Sequence, residues 1–131
     1  MAEERENPAA RQRLSVSIED KLGAVTFHLG GELDCFSLPS LMPKLKPFRE
    51  IPACRIIFNL RQVHYLDSTV LSFLISNHRD FSGRGGRMVC VRPKDPQVQK
   101  VLTRTWVTSI LQFADDMQEA ERFLAAGGQP D

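Results

Sequence analysis

At 131 residues, with 42% hydrophobic and 25% charged residues, the chain has ordinary globular composition and the length of one domain around one core. Seventeen basic and sixteen acidic residues leave a formal charge of +1, which offers no electrostatic footprint to a phosphate backbone or an anionic membrane, so nucleic acid is not an expected partner. No apolar run reaches the roughly eighteen residues of a membrane span, and residues 1–13 are charged and carry no apolar stretch of signal-peptide type. A cytoplasmic protein without direct membrane insertion is expected.

Residues 1–12 are polar and 126–131 are rich in glycine, so a domain at 13–125 with a flexible segment at each end is expected. Leu14, Val16 and Ile18 alternate with Ser15, Ser17 and Glu19. Turn chemistry at 20–23 then precedes the apolar run Ala24 to Leu29, a pattern that predicts a hairpin of antiparallel strands. Behind Ser37, a candidate cap with Pro39 in the first turn, Leu38, Leu41, Met42, Leu45 and Phe48 fall at helical spacing. Pro43 and Pro47 each remove an N–H from that ladder and predict a short or kinked helix.

Ile56 to Leu60 is a short apolar run that reads as a central strand, followed by a loop at 61–66. Val70, Leu71, Phe73, Leu74, Ile75 and Phe81 predict a helix ending at Gly83, and Met88 to Val91 the next strand. Val98, Val101 and Leu102 mark a third helix, Ile110 to Phe113 a brief strand, and Met117, Ala120, Phe123 and Leu124 a last helix after Asp115. The order ββαβαβαβα implies a single α/β domain with a mixed, mostly parallel sheet of about five strands joined by right-handed crossovers.

In such sheets ligands and partners dock beside the carboxyl ends of the parallel strands. The segments leaving those ends are Gly31 to Ser37, Arg61 to Ser68 and Arg92 to Asp95. Two of them set short acidic and hydroxyl groups at the mouth of a helix, Asp34 with Ser37, and Asp67 with Ser68 and Thr69. Helix capping alone accounts for such residues, because their oxygens accept from orphan amides of a first turn.

Gly31-Glu32-Leu33-Asp34, Phe58-Asn59-Leu60-Arg61-Gln62-Val63 and Tyr65-Leu66-Asp67-Ser68-Thr69, in that order and spacing, resemble the STAS family. The match runs from about 14 to 124 and includes Gly85-Gly86, Pro93 and Glu119-Ala120. The resemblance implies an anti-sigma factor antagonist. It implies that Ser68, or less readily Thr69, is phosphorylated by a GHKL-type serine kinase that also serves as the anti-sigma factor, and that a metal-dependent serine phosphatase reverses the modification. It further implies a partner-binding surface at Asp34, Cys35, Ser37, Tyr65, Asp67, Ser68 and Thr69, with no catalytic residue, metal or cofactor. The sequence departs from the family's pattern at Val70 and Ser72, where glycines are usual, and at Asn59, where aspartate is frequent. Val70 either narrows kinase access or packs under the helix start.

The rival readings are a phosphorylation-independent STAS scaffold, or a subunit of a signalling or lipid-transport complex. A small enzyme using the same sheet edge would need a nucleotide fingerprint or a nucleophile elbow, and neither GxGxxG nor GxSxG occurs. His28, His64 and His78 lie far apart, and Cys35, Cys54 and Cys90 form no CxxC pair or metal cadence, as suits a reducing compartment. Cys54 and Cys90 are expected to be buried and Cys35 exposed. Trp106 is expected in the core, and Arg84, Arg87 and Arg92 on a solvated rim.

Overall fold

Successive side chains of a strand point to opposite faces of a sheet, and the apolar runs of the central strands, such as Ile56-Ile57-Phe58 and Met88-Val89-Cys90-Val91, give both faces apolar residues to bury. The computed structural model describes residues 14–21 and 23–127. Strands β1 (Ser15–Lys21) and β2 (Ala24–Leu33) form an antiparallel hairpin, and β3 (Arg55–Leu66), β4 (Arg87–Val91) and β5 (Phe113–Ala114) follow parallel to β2. The sheet order is β1-β2-β3-β4-β5, so its strands lie side by side in sequence order.

That order dictates where the helices go. A right-handed crossover that always steps in the same direction always crosses the same face. Accordingly α1 (Leu38–Arg49), α2 (Ser68–Gly83) and α3 (Pro96–Thr103) pack together on one face, over Val25, Phe27, Leu29, Ile56, Phe58, Leu60, Met88 and Cys90. The other face takes α4 (Met117–Gly127), whose Ala120 and Leu124 cover Ile57, Val89, Val91 and Ala114. Phe27 joins the layers: its ring meets Phe48 of α1 edge-on at 5.6 Å and lies 5.7 Å from Phe58, which in turn meets Phe73 of α2 at 6.3 Å.

The α/β class, the element order and the single antiparallel strand are as the sequence predicts; several details differ. The segment 61–66, expected as a loop, is strand, and β3 runs twelve residues. Register shifts between His28 and Gly30 and between Gly31 and Glu32 each place one extra residue in β3. Its buried residues therefore step from Leu60 to Val63 to Leu66, a spacing of three that hides the strand's period of two. Helix α1 likewise runs twelve residues straight through Pro43 and Pro47. Pro39, Pro43 and Pro47 are exposed and recur every fourth position, opposite the buried Leu38, Leu41 and Leu45. The carbonyls deprived of a partner thus face water, which satisfies them.

Near the other end, the strand expected at Ile110 to Phe113 is shorter and lies later, at Phe113 and Ala114. Trp106–Ser109 is a 3-10 turn, and the amides of Ile110 and Leu111 are spent on the Val107 carbonyl at 3.1 and 2.8 Å, leaving only Phe113 and Ala114 to pair with β4. This turn buries Val107 and leaves Trp106 64% exposed, contrary to the core position expected for it. Of the rim arginines, Arg84 and Arg92 are exposed, whereas Arg87 is half-buried and donates to Gln112 at 2.6 Å. Helix α4 continues to Gly127, past the expected domain boundary, while residues 1–12 and 128–131 lie outside the described residues.

Helix α2 ends in a Schellman motif: Gly86 N–H donates to the Phe81 carbonyl at 2.8 Å and Gly85 N–H to Ser82 at 3.1 Å, with Gly85 at φ +82. Gly86 is then pressed against the segment entering β3, where a Cβ would stand 2.1 Å from the Cys54 carbonyl oxygen. Gly86→Ala is expected to lower stability by about 1–3 kcal/mol through this overlap. Gly83→Ala, whose Cβ meets nothing within 4 Å, is expected to leave it unchanged or slightly raised; urea unfolding of both variants checks the pair.

Arg49 of α1 reaches Asp80 of α2 at 3.1 Å, and the hydrogen bond and charge of that guanidinium, with Arg84 beside it, hold the Asp80 carboxyl below its ordinary value. A depressed carboxylate stabilises the fold fully above its unfolded pKa, near 3.8, and less as pH falls towards the native value. The stability gap between the natural protein and Asp80→Asn is therefore expected to be constant from about pH 5 to 7 and to shrink below about pH 4 in urea titrations.

Candidate partner-docking site

Two loops meet where β2 and β3 end. The first is shaped from inside by Asp34 and Ser37. Asp34 Oδ1 accepts from the amides of Phe36 and Ser37, both at 2.9 Å, closing an Asx turn ahead of α1. Ser37 Oγ accepts from the Asp34 amide at 2.9 Å and donates to the Glu32 carbonyl at 2.8 Å. Ser37 is buried and has no side-chain capping bond, and its hydroxyl is consumed in holding the loop. The turn leaves Cys35 exposed and drives Phe36 outward at 87% exposure.

The second loop is the entry to α2. Asp67, in extended conformation, is the N-cap, with Oδ1 accepting from Val70 N–H at 3.2 Å. Its other oxygen, Oδ2, accepts from the Cys35 amide at 3.2 Å. One carboxylate therefore joins a helix start to the neighbouring loop. Capping is real here, but it uses half of the group.

Ser68 is the first residue of α2, and it and Thr69 are exposed, with Tyr65 49% exposed at the end of β3. Val70 is fully buried in the core, so of the two possibilities for its side chain it packs under the helix and leaves the Ser68 hydroxyl open. Ser72, at the other departure from the family's glycines, lies one turn along and is also exposed.

The third segment expected at this edge attaches to β3 instead. Lys94 N–H donates to the Arg61 carbonyl at 3.2 Å, Asp95 caps α3 through Gln97 N–H at 2.8 Å, and its Oδ2 lies 3.7 Å from His64 Nδ1. Asn59 is committed as well: its Oδ1 accepts from Arg61 N–H at 3.1 Å while Nδ2 donates to His28 Nδ1 at 2.9 Å. His28 Nε2 therefore carries the proton that meets Glu19 at 3.0 Å.

No catalytic relay emerges from these groups. Among the described residues none of the three histidines hydrogen-bonds a serine, threonine or cysteine side chain, and no group of three His, Cys, Asp or Glu could hold a metal ion. Cys54 and Cys90 are buried, and burial pushes both thiols up, Cys90 to about 12, which makes them unreactive. Within the described residues no helix is long and apolar enough to cross a membrane.

Sequence reasoning missed Phe36. Its only signal is a large apolar residue in a polar loop, outside the helical register that begins at Leu38.

A mixed sheet with three crossover helices on one face and an aspartate-capped serine at a helix mouth defines a small α/β domain of the STAS type. The STAS domain model matches residues 15–120, and the chain belongs to that family. Among solved structures, an anti-sigma factor antagonist from Mycobacterium paratuberculosis superposes with a TM-score of 0.76 at 17% identity, covering 87% of this chain and 96% of that one. The anti-sigma factor antagonist SpoIIAA in its unphosphorylated form gives 0.64 at 21% identity, with 86% and 99% covered. The Bacillus cell fate determinant SpoIIAA in the phosphorylated form gives 0.62 at 21% identity, with 82% and 98% covered. At these identities the likeness is one of fold.

Because Asp67 serves two amides, its variants separate the two roles. Asp67→Ala is expected to lose about 1–2 kcal/mol, the cost of a missing N-cap. Asp67→Asn keeps one acceptor for Val70 but sets an NH2 group against the Cys35 amide, so it is expected to lose less stability while amide exchange at Cys35 accelerates; thermal unfolding and hydrogen-exchange NMR read the two effects.

Proposed function

We propose that this STAS domain is a cytoplasmic anti-sigma factor antagonist that works by partner switching at Ser68. The observation that carries the reading is the placement of Ser68: an open hydroxyl on the first turn of α2, beside Asp67 and across from the exposed Cys35–Phe36 tip. In the unphosphorylated state a GHKL-type serine kinase that doubles as the anti-sigma factor docks over Phe36, Tyr65, Ser68 and Thr69, and Phe36 enters an apolar pocket on the partner. Large exposed aromatics are the residues that anchor interfaces of this kind.

Phosphorylation of Ser68 adds about −1.5 to −2 charge next to the Asp67 carboxylate. An interface closed around a neutral hydroxyl would have to desolvate that charge and hold it beside a like one, so the complex dissociates. The domain itself stays folded, because the amides and dipole of a helix N-terminus favour an anion. A metal-dependent serine phosphatase then restores the binding form. The domain performs no chemistry of its own and takes no cofactor.

The rival reading as a phosphorylation-independent scaffold, in a signalling or lipid-transport complex, leaned on a side chain at position 70 blocking access to the serine. With Val70 fully buried, that argument has no support.

The test is intact-mass analysis after incubation with ATP and the GHKL-type serine kinases of the same organism. One added phosphate is expected, absent from Ser68→Ala and retained in Thr69→Ala. If a kinase binds the protein but leaves Ser68 unmodified, the switch is wrong. Phe36→Ala is expected to weaken kinase binding at least about tenfold in calorimetry with an unchanged melting temperature, since its ring is 87% exposed.

A further inference from the structure

On the α1–α3 face, α2 and the segment leading into β5 diverge around a groove of about 430 Å³ that runs along β4 from Arg87 to Arg92. His78 and Ser82 line it from α2, Arg87 and Arg92 from the two ends of β4, and Thr108 from the 3-10 turn, over an apolar floor that includes Met88 and Phe113. His78 lies ten residues beyond Ser68 on one helix, about 15 Å along its axis, so the groove is distinct from the proposed switch.

Of the polar groups lining this groove Arg87 and Arg92 only donate, Ser82, Thr108 and Gln112 can donate or accept, and no carboxylate is among them. Arg87 is held in place by its bond to the Gln112 side chain at 2.6 Å. Arg92 lies over the Phe113 ring at 5.3 Å and gives Nε to Asp115 at 3.0 Å, and its Nη groups have no further partner among the described residues. The Asp115 side chain is 76% exposed and does not line the groove. The α2 carbonyls of Phe81 and Ser82 are occupied by the amides of Arg84, Gly85 and Gly86, so they do not set negative ends into it. His78 Nδ1 is buried without a hydrogen-bond partner.

We propose that this groove binds a phosphoryl group, carried by inorganic phosphate or by a small phosphate monoester. Two guanidiniums from the two ends of β4 and two hydroxyls, one from α2 and one from the 3-10 turn, line the groove, which suits a tetrahedral oxyanion with acceptors on every side better than a flat carboxylate. The apolar floor and the volume leave room for a compact organic body on the ester. His78 completes the site: burial, together with Arg87 and Arg79, lowers its pKa in the empty groove, and a bound dianion reverses that push.

The experiment is NMR titration of the full chain with inorganic phosphate, glycerol 3-phosphate and acetate at fixed ionic strength. Saturable shifts at Arg87, Arg92 and Thr108 with both phosphates, absent with acetate, are expected, together with an upward shift of the His78 titration midpoint. Tighter binding of glycerol 3-phosphate identifies an ester site, and equal binding a free-phosphate site. Arg92→Gln is expected to weaken binding about tenfold or more, as the loss of a charged hydrogen bond does, with an unchanged melting temperature for this exposed side chain. Thr108→Val gives a second, uncharged test in the same direction. Absence of saturation at millimolar phosphate, equal shifts with acetate, or unaltered binding by both variants would overturn the proposal.

Discussion

Strand order constrains this molecule more than any single contact. Because β2 to β5 lie side by side in the order in which they occur, every crossover turns the same way, and three helices are committed to one face before their side chains are considered. All parallel strands then release their chains at one edge. Those exits could have been independent loops, but the Asp67 carboxylate joins two of them by accepting from Val70 at its own helix and from Cys35 on the neighbouring loop. The topology supplies proximity and the carboxylate turns it into a defined surface.

That surface divides its residues by depth. Ser37 and Val70 work from below, one by closing the loop and the other by filling the core under α2. Phe36, Tyr65, Ser68 and Thr69 stand above them. Supporting residues and presenting residues alternate along the chain, so the presenting ones can change their chemistry without disturbing the fold. The phosphate proposed for Ser68 would be such a change.

Much of the architecture was legible from periodicity. The first strand and the α2 face with its end at Gly83 were readable because each keeps one period, and the strands at Ala24 and Met88 because each is a short apolar run bounded by turn residues. Three features were not. The second half of β3 carries two extra residues relative to β2, which moves its buried positions to a spacing of three and imitates a loop. In α1 the prolines suggested a break, yet what matters is the face on which the missing amides fall, and that depends on which side the sheet lies. Trp106 and Phe36 were unreadable for a related reason: each is an aromatic at a local turn, where hydrogen bonding within the turn, not apolar periodicity, decides which way a side chain points. The site's aspartates and hydroxyls were visible as a pattern, but the bond from Asp67 to Cys35 spans 32 positions of sequence and no local pattern encodes it.

The proline stripe of α1 has one more effect. Pro39, Pro43 and Pro47 fix three backbone torsions in a helix of twelve residues that begins immediately after the Cys35–Phe36 tip. On the other side of the tip the chain is held by the Asp34 turn and the end of β2. The aromatic is thus mounted between two segments with little freedom left to lose. In the proposed complex a partner arriving there would meet a group already in position, so the encounter could go directly to docking, the ordering cost that slows recognition by floppy loops having been met when the domain folds.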